Sequence, residues 1–169
     1  MEIRLSGVIE SSLNNGVGIR KVIFAQGCKH HCKGCFNKET WDFDGGYLCD
    51  TDKLAENIND DFIIDGVTFS GGDPFEQAEA FADLAEKIDD EKTIWCYTGY
   101  EWEEILEGCK EDRPGWVDLL KEIDVIVVGK FIEEEKDPEL EYKGSKNQRI
   151  LSVPLSIWLN RPVRPLQFN

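Results

Sequence analysis

Basic residues are scarce in this sequence. Nineteen lysines and arginines stand against 34 aspartates and glutamates, which gives a formal charge of −15 over 169 residues. A surface with that balance repels a phosphate backbone, so the composition argues against nucleic acid as a partner. The run of three glutamates at residues 133–135 is accordingly interpreted as a solvated face.

Long apolar segments are absent as well. No apolar run approaches the ~20 residues that a membrane-spanning helix needs. The first four residues, Met-Glu-Ile-Arg, lack the charged and then apolar profile of a signal peptide. We therefore expect a cytoplasmic protein without a membrane partner. In that compartment the six cysteines are expected to be reduced or metal-bound rather than paired with one another.

Internal repeats, low-complexity segments and linkers are also missing, which predicts a single domain over residues 1–169. A domain of this length buries roughly 70% of the surface that its unfolded chain exposes, so disulfides are not required for stability. Hydrophobic residues make up 41% of the chain, a composition typical of globular proteins rather than disordered ones.

Short apolar runs alternate with helical patterns along the chain. Strands are predicted at residues 22–25, 67–69, 93–97, 125–128 and 150–153, with an edge strand at residues 2–10. One helix is predicted to begin at a Thr51 cap, and a second at Pro74 with Asp73 as its cap. Two shorter helices are predicted at residues 102–106 and 116–120. This alternation predicts an α/β fold with a mostly parallel sheet.

Three of the cysteines, Cys28, Cys32 and Cys35, lie within eight residues, directly after the predicted strand at 22–25. Thiolates this close repel one another unless a metal or a disulfide takes up their charge. They also follow the carboxyl end of a strand, where α/β folds build their sites. The remaining cysteines, Cys49, Cys96 and Cys109, are expected to be plain thiols, with Cys96 in the core.

Three interpretations of this loop compete. Structural zinc normally takes four ligands as two separated pairs, and here the fourth ligand would be His30, His31 or Cys49. A disulfide would leave one thiol over and disagrees with a reducing compartment. The third is a 4Fe-4S cluster with one iron free of cysteine, which would be open to a substrate. Spacing alone does not choose between the open cluster, zinc and an electron-carrying cluster.

A glycine–glycine–acid element, Gly71-Gly72-Asp73, follows the next strongly predicted strand. By itself, a strand-to-helix turn with a capping aspartate explains it. Residues without side chains also allow a ligand to approach the backbone, where carbonyl oxygens would accept hydrogen bonds from a cationic amino group.

Together, the Cys-x3-Cys-x2-Cys loop after one strand and Gly-Gly-acid-Pro after the next resemble the radical S-adenosylmethionine (SAM) enzymes. Further segments narrow this resemblance to one family of glycyl radical enzyme activases, the activating proteins of anaerobic ribonucleoside-triphosphate reductases. The similar segments occur in the same order and span roughly residues 16–152. They are Gly18-Ile19-Arg20, Gln26-Gly27-Cys28, Cys35-x-Asn37, Thr40-Trp41-Asp42, Tyr97-Thr98-Gly99-Tyr100 and Gly144-Ser145-x-Asn147-Gln148-Arg149.

The resemblance implies an incomplete (βα) barrel of the radical SAM type, open on one side to a large substrate protein. It implies that Cys28, Cys32 and Cys35 hold a 4Fe-4S cluster and that SAM chelates its fourth iron. The residues implied for SAM are Gly71, Gly72 and Asp73 at its methionine end, Gly34 and Phe36 on its adenosine side, and Cys35. No catalytic side chain beyond the cluster and SAM is expected. Val128 falls where related activases often carry an acid, so the resemblance does not extend to a cation site there.

The implied activity is reductive cleavage of SAM to methionine and a 5′-deoxyadenosyl radical, which takes hydrogen from a glycine of the reductase. The implied partners are the large subunit of the anaerobic ribonucleotide reductase and a low-potential electron donor such as flavodoxin or ferredoxin. One alternative is a small radical SAM enzyme of the deazapurine synthase type, which would turn over a small molecule without a partner protein. Another is a non-enzymatic iron–sulfur electron carrier, which would not cleave SAM.

Overall fold

A seven-stranded sheet organises the protein in the computed structural model, which describes residues 1–168. The predicted domain included Asn169, which lies outside the described residues. The strands are β1 (Glu2–Ser12), β2 (Arg20–Ala25), β3 (Tyr47–Asp50), β4 (Gly66–Gly71), β5 (Thr93–Tyr97), β6 (Val125–Val128) and β7 (Arg149–Ser152). The α-helices are α1 (Thr51–Asn59), α2 (Ala78–Ala85), α3 (Trp102–Lys110), α4 (Trp116–Glu122) and α5 (Val153–Trp158). Short 3-10 turns occupy Lys38–Thr40, Pro74–Gln77, Glu133–Glu135 and Leu166–Phe168.

The strand order is β3-β1-β2-β4-β5-β6-β7. The four strands β2, β4, β5 and β6 pair in parallel, while β1 and β7 run antiparallel to their neighbours. Within residues 1–168, β3 and β7 end the sheet without pairing to each other, so the barrel is incomplete. The predicted α/β class with a mostly parallel sheet is confirmed.

The prediction of an edge strand at residues 2–10 was wrong. β1 lies between β2 and β3, and its Ile3 and Leu5 are fully buried. The edge is formed by β3, for which no strand was predicted. Four residues, Tyr-Leu-Cys-Asp, are too few for an alternation of apolar and polar side chains to be recognised.

One of the two helix caps lies one residue before its predicted position. Asp50, not Thr51, caps α1, because its side chain accepts a hydrogen bond from the Lys53 amide at 3.2 Å. Thr51 is the first helical residue and is fully buried, with its hydroxyl 2.5 Å from the Asp83 carboxylate. Longer-range partners therefore occupy the hydroxyl that the prediction assigned to the cap.

The strand predicted at residues 125–128 is confirmed as β6, and it is buried on both faces of the sheet. Ile126 and Val128 belong to the large apolar core shared with the helices, whereas Val125 and Val127 pack with Trp95 on the opposite face. A continuous apolar run is what such a position in a parallel sheet requires. Within the described residues, no helix is both long and apolar enough to cross a membrane.

Arg20 closes the amino-terminal end of the parallel strands. Its guanidinium is fully buried and donates to the hydroxyls of Thr68 and Thr93 at 2.7 and 2.9 Å, and also to the Val67 carbonyl. It lies over the Trp95 ring, and burial lowers its pKa to about 10. The opposite end, at the carboxyl termini of the strands, is open and contains the candidate functional site.

Candidate cluster and cofactor site

A cavity of about 450 Å³ lies at the carboxyl ends of the parallel strands, a volume within the range of small-molecule sites. All three cysteines of the loop line it. Other lining residues are Phe36, Gly71, Gly72, Tyr97, Thr98, Gly99, Phe131, Tyr142 and Gln148. The structure thus brings together most of the predicted site residues, but Gly34 and Asp73 are not among those that line the cavity.

The start of the cysteine loop is held by the segment that follows it. The amide of Gly27 donates to the Thr40 carbonyl at 2.7 Å, and that of Cys28 to the Trp41 carbonyl at 3.2 Å. The His31 ring stacks on Trp41, with centroids 4.6 Å apart. The Thr40-Trp41-Asp42 segment therefore supports the loop, and its Thr40 and Trp41 also line the cavity.

A backbone amide donates to the Cys35 sulfur, that of Asn37 at 3.4 Å. The backbone amides of His30 and His31 act to lower the pKa of Cys28, and that of Phe131 acts to lower the pKa of Cys32. Thiols with backbone amides beside them suit the ligand chemistry of an iron–sulfur cluster, whose ligands are thiolates. Within the described residues, no three His, Cys, Asp or Glu side chains are grouped as a site for a metal ion. The ligand set therefore stays a prediction.

Burial raises the pKa of the Cys28 thiol to about 11 and also raises the pKa of Cys32, while the amide donors act in the opposite direction. Both thiols are therefore protonated at neutral pH in the cluster-free protein. Because thiolates are the ligands, loading iron there would release protons.

Gly71 and Gly72 are explained first by packing within the protein. Gly71 has φ +94°, and a Cβ on Gly72 would lie 2.3 Å from the Gly27 carbonyl oxygen. The Gly72 amide donates to the Ala25 carbonyl at 2.8 Å, and the Asp73 amide to the Gly27 carbonyl at 2.9 Å. The end of β4 thus holds the chain that enters the cysteine loop. The contact of both glycines with SAM stays a prediction.

Asp73 lies behind the cavity wall, with none of its side chain exposed. Its carboxylate accepts hydrogen bonds from the amides of Phe75 and Gly99, at 3.0 and 2.9 Å, and from the Thr98 hydroxyl. His30 Nε2 completes this set at 2.8 Å. The predicted role as helix cap is confirmed, whereas contact with SAM stays a prediction.

Residues 129–148 form one wall of the site, and no element was predicted for them. Gln148 shapes this segment, because its side chain accepts from the Gly144 amide at 2.8 Å and donates to the Gly129 carbonyl at 3.0 Å. Phe131 reaches the cysteine loop, where its ring lies 5.2 Å from that of Phe36. The Gly-Ser-x-Asn-Gln-Arg segment of the sequence was the available indication of this wall.

The remaining cysteines lie outside the cavity lining. All six are free, and Cys96 is fully buried, as predicted, whereas Cys49 and Cys109 are half-buried. Val128 is buried in the apolar core at the end of β6 and offers no side-chain oxygen to a cation.

Comparison with known proteins agrees with this arrangement. The model of the 4Fe-4S single cluster domain family matches residues 14–151. An anaerobic ribonucleoside-triphosphate reductase-activating protein from Haemophilus influenzae is 40% identical over 145 residues, covering 80% of this chain and 89% of its own. Proteins of the same name from Vibrio cholerae and Enterobacteria phage T4 are 39% and 34% identical, covering 80% and 85% of this chain and 89% and 90% of their own.

Among solved structures, QueE from Escherichia coli is 20% identical with a TM-score of 0.46, covering 59% of this chain and 53% of its own. That likeness is too distant to bear on function. The relatives and the family model cover most of the chain, and the family model spans the whole cysteine loop. The chain therefore belongs to the family of anaerobic ribonucleoside-triphosphate reductase-activating proteins.

Proposed function

We propose that this protein activates an anaerobic ribonucleoside-triphosphate reductase by generating a glycyl radical on its large subunit. The observation that carries the proposal is the similarity to relatives of that name over 80% of the chain or more. The same similarity favours this function over a radical SAM enzyme acting on a small molecule and over an electron carrier.

In this function Cys28, Cys32 and Cys35 would hold a 4Fe-4S cluster, with SAM on its fourth iron. The cluster would supply the electron that cleaves the sulfonium of SAM. The resulting 5′-deoxyadenosyl radical would take hydrogen from the glycine. The remaining residues of the protein would orient SAM and shield the reactive species from water. The amides around the loop stabilise the thiolates, and the main chain of Gly71 and Gly72 faces the cavity, where it would receive the amino group of SAM. The aromatic rings along the wall would exclude water from the reactive species.

The electron is expected to come from a low-potential donor such as flavodoxin or ferredoxin, because the proposed chemistry consumes one electron for each SAM cleaved. We place the protein in the cytoplasm, and the six free cysteines support that placement.

The test is anaerobic reconstitution with iron, sulfide, a reductant and SAM, followed by addition of the reductase large subunit. We expect a stable organic radical on the reductase by electron paramagnetic resonance, together with 5′-deoxyadenosine. Deuterated glycine in the reductase should give deuterated 5′-deoxyadenosine. Cys35→Ala should abolish both products, and Cys109→Ala is the matched control that should keep them.

Two outcomes would contradict the proposal in different ways. Cleavage of SAM with turnover of a small molecule, but with no radical on the reductase, would keep the cluster chemistry and exclude the partner. A cluster that transfers electrons but never cleaves SAM would favour the electron carrier.

A further inference from the structure

The His30 side chain of the cysteine loop is buried in the protein. This side chain is 6% exposed, and its Nε2 lies 2.8 Å from Oδ2 of Asp73. We assign Nε2 as the donor in this contact, since Asp73 Oδ2 also accepts from the Thr98 hydroxyl and the Gly99 amide. The imidazole also meets the Tyr100 ring edge-on, at 4.6 Å between centroids. The loop is therefore attached to the body of the protein through this ring.

Asp73 connects three parts of the chain through one carboxylate. It caps the turn after β4 through the Phe75 amide, and it accepts from Thr98 and Gly99 just after β5. His30 adds the cysteine loop as the third part. A fully buried carboxylate is tolerated only when its oxygens are hydrogen-bonded, so each donor contributes to holding the others in place.

Gly99 independently supports the position of the His30 ring. A Cβ on Gly99 would lie 2.4 Å from Cδ2 of His30, closer than real contacts allow. No positive φ is required at this position, so the glycine leaves space for the ring rather than serving an unusual backbone conformation. The Tyr-Thr-Gly-Tyr segment thus contributes a hydroxyl and an amide to the Asp73 carboxylate, and space to the His30 ring.

His30 lies two residues after Cys28 and two before Cys32. Its own backbone amide lies beside the Cys28 thiol and acts to lower the pKa of that thiol. Hydrogen bonds to ligand sulfurs are among the features that set the reduction potential of an iron–sulfur cluster. An anchor on this residue therefore controls the direction of that amide as well as the spacing of two cysteines.

We propose that His30 and Asp73 form a positioning pair, which fixes the cysteine loop on the ends of β4 and β5 and keeps the His30 amide directed at the Cys28 sulfur. Asp73 then acts on the cluster through His30 rather than by contact with SAM. The inference rests on the proposed function only in requiring that a cluster is bound.

The first test compares His30→Ala with His30→Gln in the reconstituted protein. We expect His30→Ala to move the midpoint potential of the SAM-free cluster to more negative values, because a weakened N–H···S bond stabilises the reduced cluster less. SAM cleavage should fall about 10-fold or more, as is typical when a residue that supports a metal ligand is removed. His30→Gln, whose amide still donates to Asp73, should restore the potential and most of the activity. Lys33→Ala is the control, because Lys33 is in the same loop with its side chain 77% exposed.

The second test uses Gly99→Ala, which should displace the imidazole without altering it. By itself, this substitution should move the midpoint potential of the SAM-free cluster in the same direction as His30→Ala. In the His30→Ala background it should add little, because the ring that it would displace is gone. Gly99→Ala also provides the measurement if His30→Ala does not fold.

Three results would overturn the proposal. The first is a wild-type midpoint potential in both His30→Ala and Gly99→Ala. The second is an equal shift in potential and an equal loss of SAM cleavage in His30→Ala and His30→Gln. The third is an Asp73→Asn variant with an unchanged SAM-free potential and weakened SAM binding, which would make Asp73 a ligand contact. A wild-type protein that binds the cluster but activates no reductase would refute the proposed function and leave this test unaffected.

Discussion

Replacing Gly72 by alanine should displace the entry of the cysteine loop. The added Cβ would lie 2.3 Å from the Gly27 carbonyl oxygen, 2.9 Å from the Gly27 carbonyl carbon and 3.1 Å from the Ala25 oxygen. These atoms belong to the backbone and cannot rotate away, so the contact with Gly27 has to open by about 0.7 Å to reach the shortest acceptable distance of 3.0 Å. Gly27 immediately precedes Cys28, so the first cluster ligand moves with it.

Overpacking of this kind costs about 1–3 kcal/mol, part of which is offset because alanine restricts the unfolded chain. We take about 2 kcal/mol as the expected loss for Gly72→Ala. For a chain of this length that loss corresponds to a melting temperature roughly 4–8 °C lower. The displaced loop should also take up less iron during reconstitution.

The assay is thermal unfolding of the cluster-free protein, followed by iron analysis after reconstitution. Gly7→Ala is the matched control, because a Cβ on Gly7 would meet no atom within 4 Å. It should leave the melting temperature unchanged or slightly higher. A Gly72→Ala protein that melts with the control and takes up the same iron would refute the reasoning from this contact.

Three further predictions concern other parts of the chain. Cys28→Ala should lose the brown colour or retain only an unstable three-iron cluster, whereas Cys109→Ala should keep about four irons per chain in iron analysis. Burial raises the pKa of Cys96 well above its ordinary value of 9.0. Above pH 9 the thiol therefore ionises in the unfolded chain before it ionises in the folded one. The stability that this thiol contributes is fully present below pH 9 and is lost as the pH rises further. Denaturant unfolding of the cluster-free protein should show a loss of about 1.4 kcal/mol at about pH 10 from this thiol, and Cys96→Ala should remove that part of the slope. Arg20→Met should cost at least about 3 kcal/mol in denaturant unfolding, because several buried oxygens lose their donor. The folded fraction should still take up iron, since Arg20 lies at the end of the strands opposite the cysteine loop.

The sequence by itself determined the features that depend on neighbouring residues. The buried strand at Val125–Val128, the cap and proline that begin the turn at Pro74–Gln77, and the cysteine loop after β2 were all predicted from local patterns. Hydrophobic periodicity, capping and ligand spacing act over a few residues, so a single chain displays them directly. The family resemblance extended this to the barrel, because its segments recur in order along most of the chain.

Only the tertiary structure decided what these features contact. Pairing of β1 with β3 made the first strand an interior one, and the Gly27 carbonyl gave Gly72 its reason to lack a side chain. His30 and Asp73 are 43 residues apart, and nothing in the spacing of either motif indicates that they share a hydrogen bond. Side chains distant in sequence meet because parallel strands bring their carboxyl ends to one edge of the sheet, where several loops converge on the same buried carboxylate.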